Sequence, residues 1–158
     1  MPANAPSPGF TLVELMVTLA VLAILSTLAA PMFGDLIQRN KVDAASGELA
    51  HLLQYARSEA ITRASAVTVT ASSGNWVGAL SVATSSETLR QYGSEGINGG
   101  SAVTATGSAS SLTFRAAGTL NGAAQSIRLC PSSGSSSGRL LSISSSGQIT
   151  STTTECSS

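Results

Sequence analysis

Charge is scarce in this chain: 10% of its 158 residues are charged, and Lys+Arg 8 balance Asp+Glu 8. No global field exists to draw in nucleic acid or anionic lipid, so either partner would need a local patch. Aromatics make up 4%, and histidine occurs once, as His51. With one histidine, few carboxylates and serines scattered through turn-like stretches, no set of nucleophile, base and orienting group can be assembled. Gly96-Ile97-Asn98-Gly99-Gly100 is glycine-rich but lacks the strand, lysine and hydroxyl context of a phosphate loop, so its glycines are read as loop glycines. The expectation is a protein that is not an enzyme, with no cofactor, no metal and no small-molecule substrate.

Cysteine is nearly absent as well. Cys130 and Cys156 are the two cysteines, both in the last quarter of the chain. In a chain delivered across a membrane, such a pair reads as a disulfide closing the C-terminal segment, contributing roughly 3 kcal/mol through the denatured state. A metal site is the poorer reading, since His51 lies far away in sequence.

Length and 42% hydrophobic content fit one globular domain with an appendage. The appendage is at the N-terminus. Residues 1–9 read MPANAPSPG, with three prolines and no lysine or arginine, and should form no regular structure. From Phe10 to Ala30 the only charge is Glu14. That run is long enough, as a helix, to span a bilayer core of about 30 Å. An ordinary secretory signal would have a basic start, a shorter apolar run and no acid at its head. A plain membrane anchor leaves the acid unexplained, because a carboxylate there costs up to a few kcal/mol depending on depth. Cleavage after Gly9 supplies a reason: the new α-ammonium of Phe10 in one subunit could pair with Glu14 of another and fix axial register.

Gly9-Phe10-Thr11-Leu12-Val13-Glu14 closely resembles the processing site of type IV prepilins and pseudopilins. The resemblance implies cleavage by a prepilin peptidase between Gly9 and Phe10, N-methylation of Phe10, and a docking role for Glu14. Family leaders usually carry lysine or arginine; this one carries none, so the positive-inside rule gives no support to its retention in the cytoplasm.

Beyond the apolar run, Pro31 removes a backbone donor and should kink or loosen the helix. Helical periodicity then resumes: Ala45, Leu49, Leu52, Leu53, Ala56 and Ala60 share one face, while Arg39, Lys41, Glu48, Arg57 and Glu59 can face outward, to about Arg63. His51 is read as a partly exposed helix residue, and Arg57 and Glu59 as solvated. After Ala64 the period becomes that of strands. Ala66–Thr70 and Trp76–Val82 flank a Ser-Ser-Gly-Asn turn as a hairpin. Further strands are expected at Leu112–Arg115, Ser126–Cys130, Arg139–Ser144 and, briefly, Gln148–Thr150. The stretch Ser94 to Ser111 should be a mobile loop with one weak strand near Val103, and Pro131 to Gly138 a Ser/Gly loop.

Leu52-Leu53-Gln54-Tyr55-Ala56-Arg57-Ser58-Glu59-Ala60-Ile61, followed by a strand at Val67, is similar to the GspH/FimT branch of this superfamily. That branch holds the H-type pseudopilins and the FimU- and FimT-like minor pilins. The resemblance implies an α+β pilin fold, one long N-terminal helix packed on a C-terminal antiparallel β-sheet domain. Its parts are a cleaved leader (1–9), a transmembrane and assembly helix (10–30), an amphipathic half (31–64) and a β-rich periplasmic domain (65–158). It implies single-pass residence in the bacterial inner membrane, then incorporation into a pilus or pseudopilus beside other pilin or pseudopilin subunits. A minor pilin priming or joining a type IV pilus is the first reading, the terminal cysteine pair being more like the FimU/FimT pilins; pseudopilin H of type II secretion is the second. A DNA-binding minor pilin is the third. FimT-like members bind DNA through a Gly-Arg-x-Arg motif, and here Gly138-Arg139-Leu140-Leu141 keeps the first arginine and has leucine for the second. Arg115, Arg128 and Arg139 could still converge on phosphates. From Val67 onward, however, four arginines face three glutamates, a balance that predicts weak nonspecific binding.

Overall fold

The long helix α1, Leu12–Thr62, starts on Thr11, which caps it. Thr11 Oγ1 accepts from Glu14 N at 3.2 Å, and Thr11 O accepts from Leu15 N at 3.2 Å. Thr11 and Glu14 therefore stand at the first and fourth positions of a Thr-x-x-Glu capping pattern, with the carboxylate near the positive end of the helix dipole. The computed structural model describes residues 9–97, 102–133 and 137–156, without the side chains of residues 28–32. Residues 1–8 of the expected leader, and parts of the expected loops around Gly99 and Ser135, lie outside the described residues.

The chain divides into two compact units, Met1–Gly34 and Asp35–Ser158. In the first, every described side chain from Phe10 to Thr27 is exposed, and the apolar residues occupy all faces of the helix. Its hydroxyls turn inward on their own backbone: Thr18, Ser26 and Thr27 donate to the carbonyls of Leu15, Leu22 and Ile24 at 2.9, 2.7 and 2.7 Å. Polar groups satisfied within the helix suit apolar surroundings. Among the described residues no helix is long and apolar enough to cross a membrane, the described side chains of this run stopping at Thr27. The helix runs without a break through Pro31, where the sequence suggested a kink or loosening.

In the second unit the helix buries Val42, Ala45, Ser46, Leu49, Leu52, Leu53, Ala56 and Ala60. This is the stripe its 3.6-residue period demands, and the residues expected on it are all there. The buried Ser46 hydroxyl is satisfied by Ser151 Oγ at 3.3 Å. At the C-terminus, Ser65 N bonds Ala60 O and Ala64 N bonds Ile61 O, both at 3.2 Å. This is a Schellman cap with Ala64 at the left-handed position, φ 48°.

Among the described residues eight strands follow: β1 Val67–Ala71, β2 Leu80–Ala83, β3 Thr88–Tyr92, β4 Val103–Gly107, β5 Ser111–Phe114, β6 Gln125–Pro131, β7 Ser137–Ile143 and β8 Ile149–Glu155. They form two antiparallel four-stranded sheets, ordered β3-β2-β1-β5 and β4-β6-β7-β8. The expected first hairpin is present, but its second strand begins at Leu80 rather than Trp76. Trp76 instead fills the seam between the sheets. Its backbone N donates to Ala105 O at 3.1 Å and its indole N to Ala109 O at 2.9 Å, while Asn75 bridges to Thr106. A side chain at Gly107 would overlap the indole, which accounts for glycine there. The weak strand expected near Val103 is a regular five-residue strand, β4, and β8 is more than twice as long as the expected Gln148–Thr150.

Arg57, expected to be solvated, is half-buried and joins the helix to a loop from each sheet. Its Nε donates to Gly118 O at 2.9 Å and a terminal nitrogen donates to Ser146 O at 3.3 Å. Glu59 pairs with Arg63, whose guanidinium also meets Glu87. Arg90 lies over the rings of Tyr55 and Tyr92, 5.2 and 5.8 Å from their centroids, closing the edge of the core beside β3.

Ala64 carries a Cβ in a backbone conformation that favours glycine. Ala64→Gly is expected to stabilise the β-domain by about 0.5 kcal/mol, after the added freedom of the unfolded chain is subtracted. A urea titration reads this as a higher midpoint at unchanged slope.

Candidate functional site

The processing residues lie where an enzyme could reach them. Gly9 and Phe10 are exposed ahead of the helix, Phe10 at 88%, and Gly9 has nothing within 4 Å of where a Cβ would sit. Glu14 is exposed in the first turn, one residue within an apolar surface made by Leu12, Val13, Leu15, Met16 and Val17. A carboxylate on such a surface can meet only a positively charged partner or water at tolerable cost. The sequence singled out Glu14 for its charge and missed its place in the capping pattern, which Thr11 signals three residues earlier.

At the other end of the chain, Cys130 and Cys156 form the disulfide, with Cα atoms 5.8 Å apart. Cys130 is on β6 and Cys156 follows β8, so the bridge crosses over the strand between them. It passes Gly138 of β7, where any Cβ would overlap Cys156 Sγ and Leu129 O. Gly138 is thus fixed by packing under the bridge.

Its neighbour Arg139 is committed too. Arg139 Nε and a terminal nitrogen donate to the two carboxylate oxygens of Asp43 at 2.6 and 3.2 Å, and Thr153 Oγ1 accepts at 3.4 Å. The forked pair ties β7 and β8 to the first turns of the amphipathic half of α1. The hydrogen bond from Arg139, reinforced by its charge, holds the Asp43 carboxyl below its ordinary value against the opposing effect of burial. The same bond raises Arg139.

The structure does not bring together Arg115, Arg128 and Arg139, the three arginines that could have converged on phosphates. In β6 and β7, Arg128 faces Leu140 and Leu129 faces Arg139 across the ladder. Successive side chains on a strand alternate faces, so Arg139 shares the inner face with buried Leu129 while Arg128 is exposed on the outer one. Arg115 lies just past β5 in the other sheet, its guanidinium donating to Asn121 Oδ1 at 3.2 and 2.7 Å. His51 is exposed on the helix.

Comparison with known proteins agrees with this architecture. The profile of the family described as type II transport protein GspH matches residues 45–147. The chain belongs to the GspH family. Residues 7–30 match the prokaryotic N-terminal methylation motif. Among solved structures, the type IV minor pilin FimU of Pseudomonas aeruginosa is similar in two crystal forms, at 32% identity and TM-scores of 0.62 and 0.59. Each likeness covers 70% of this chain, and 87% and 91% of the FimU chains. A type IV major alpha-pilin of Moraxella bovis is 45% identical over 42 residues, 27% of this chain and 26% of the relative. Membership places this GspH-family chain in the type IV pilin and pseudopilin superfamily and makes it a structural protein rather than an enzyme. The methylation motif implies peptidase processing and membrane anchoring through the N-terminal segment, and the family implies assembly with other pilin subunits.

The pH behaviour of the Asp43–Arg139 pair follows from the direction of its shift. A depressed folded carboxyl contributes stability above the unfolded value of 3.8, and that contribution is lost as pH falls through the folded value. Half-exposure of Asp43 screens the pair, so Asp43→Asn is expected to cost about 0.5 kcal/mol at pH 7. Thermal unfolding of the two proteins should differ at pH 7 and converge as acid protonates the carboxyl.

Proposed function

We propose that this chain is a minor pilin, incorporated into or priming a type IV pilus through its N-terminal helix. The observation that carries this reading is the likeness to FimU, a type IV minor pilin, over 87% of that chain at 32% identity. The N-terminal motif and the exposed apolar helix support it. On this reading the peptidase cuts between Gly9 and Phe10 and Phe10 is N-methylated. The chain sits once across the bacterial inner membrane with the β-domain in the periplasm. Glu14 then meets the α-ammonium of a neighbouring subunit, an attraction that low dielectric strengthens and bulk water would screen. Such pilins serve adhesion, twitching or competence.

A second reading, pseudopilin H of a type II secretion system, is favoured by the family description, which is that of a type II transport protein. It uses the same helix physics and differs in what the filament drives. The separated arginines give no reason to add DNA to the partners.

Deleting the gene separates the two readings. Surface pili are expected to be lost with exoprotein secretion intact; intact pili with lost secretion would overturn the pilus assignment.

The role of the Glu14 charge is tested with two substitutions. Glu14→Ala removes both the carboxylate and the capping-type side chain, whereas Glu14→Gln keeps a side chain that can still serve the cap. Both are expected to be cleaved after Gly9, read from the mass of the membrane form, and both are expected to be absent from sheared filaments. Normal incorporation of Glu14→Gln would show that the cap, and not the charge, is what assembly uses.

A further inference from the structure

The second sheet ends in β8, whose seven residues pair with β7 in unbroken register. Among the described residues nothing pairs with its other side. Exposed edges are normally blunted by lysine, proline, a bulge or shortness, because bare backbone groups template the addition of another strand. The sequence ITSTTTE has none of these devices, and its one charge is at the very end, Glu155. The other edges are treated differently. β4 is bridged by Asn75 and bonded by Trp76, β5 is bridged through Leu120, and β3 is short, interrupted in register and carries Arg90.

Ser144 N donates to Gln148 O at 2.9 Å and sets the phase of the β7–β8 ladder. Bonded and non-bonded pairs alternate along an antiparallel ladder. Thr150, Thr152 and Thr154 therefore turn their backbone groups toward β7, and Ile149, Ser151, Thr153 and Glu155 turn theirs to the open side. Four N–H and four C=O groups line an edge whose residues from 150 to 153 are all exposed.

We propose that β8 is a pairing edge for a second copy of this chain, β8 against β8 in antiparallel sense about a two-fold axis at Thr152. In this register Ser151 bonds Thr153 of the other copy, Thr150 faces Thr154, and Thr152 faces itself. Threonine pairs across strands are favourable, and β-branched residues fill the strand almost throughout. The charge pattern selects the antiparallel sense. Each Glu155 falls opposite an Ile149, leaving the two carboxylates about 20 Å apart at opposite ends of the pairing, whereas a parallel in-register arrangement would set them side by side. The disulfide at Cys156 fastens the strand immediately after Glu155, so the edge is already ordered when a second copy arrives. One strand pair buries less than the roughly 1,200 Å² of a stable interface. The pairing is consequently transient in dilute solution and is best detected by trapping.

The experiment uses the full chain in detergent, with Thr152→Cys and mild oxidation, read as covalent dimer on a non-reducing gel. Thr104→Cys, exposed on the outer face of β4, is the comparison. Thr152→Cys is expected to give about fivefold more dimer. Adding Thr153→Pro removes one outward N–H while sparing the ladder to β7, and is expected to return the yield to that of Thr104→Cys with circular dichroism unchanged. Equal yields at the two cysteines, or no dimer at Thr152→Cys, would overturn the proposal whatever the proline variant does.

Discussion

One helix face holds two sheets together. The strands of the first sheet hydrogen-bond among themselves, as do those of the second, and between the sheets run the Asn75–Thr106 bridge and the bonds of Trp76. What makes them one domain is that the apolar stripe from Val42 to Ala60 lies in a core cluster with the inner residues of both, from Val67, Val69 and Phe114 to Ile127, Leu129 and Leu141. Side chains of this kind contribute about 1.5–3 kcal/mol each when fully buried, more than any polar contact in the structure. The polar contacts instead set alignment: Asp43 with Arg139 at one end of the stripe, Arg57 near its other end, and Ser46 with Ser151 between sheet and helix.

The same helix is apolar on every face before Gly34 and amphipathic after it, and each half has a different kind of cover. The amphipathic half finds its cover within the chain. The described side chains of the apolar half, Phe10 to Thr27, have none within their own unit, and their hydroxyls are already engaged with the helix backbone, so the surface they offer is almost purely hydrophobic apart from Glu14. A single charge on such a surface is a strong orienting device, because the cost of leaving it unpaired far exceeds the differences among alternative apolar packings.

How much could be read beforehand depended on how strongly burial was written into residue type. The helix stripe was legible to the residue, since leucine and alanine recurring at helical spacing build one continuous apolar face. β1, β6 and β7 were legible because Val67, Val69, Ile127, Leu129, Leu141 and Ile143 alternate with polar residues. β4 was legible only as a weak strand near Val103, because Val103 and Ala105 offer a small apolar signal among Ser, Thr and Gly; of β8 only the start was legible, within Gln148–Thr150, because its threonines suit a strand yet mark no buried face. β3 combines an exposed arginine with an irregular register and shows no period at all. The N-terminal motif was legible as chemistry and the cysteine pair as a bridge. What holds Gly138 and Arg139 was not legible: the glycine answers to the disulfide crossing above it and the arginine to Asp43, two demands that come from strands and a helix distant in sequence.

The guanidinium of Arg57 takes one carbonyl from the turn after β5 and one from the turn between β7 and β8, at Gly118 and Ser146. Gly118 and Gly147 both approach that arginine closely, with φ of 74° and 80°. The two turns are therefore constrained together, because lengthening either one would withdraw an acceptor from a half-buried cation.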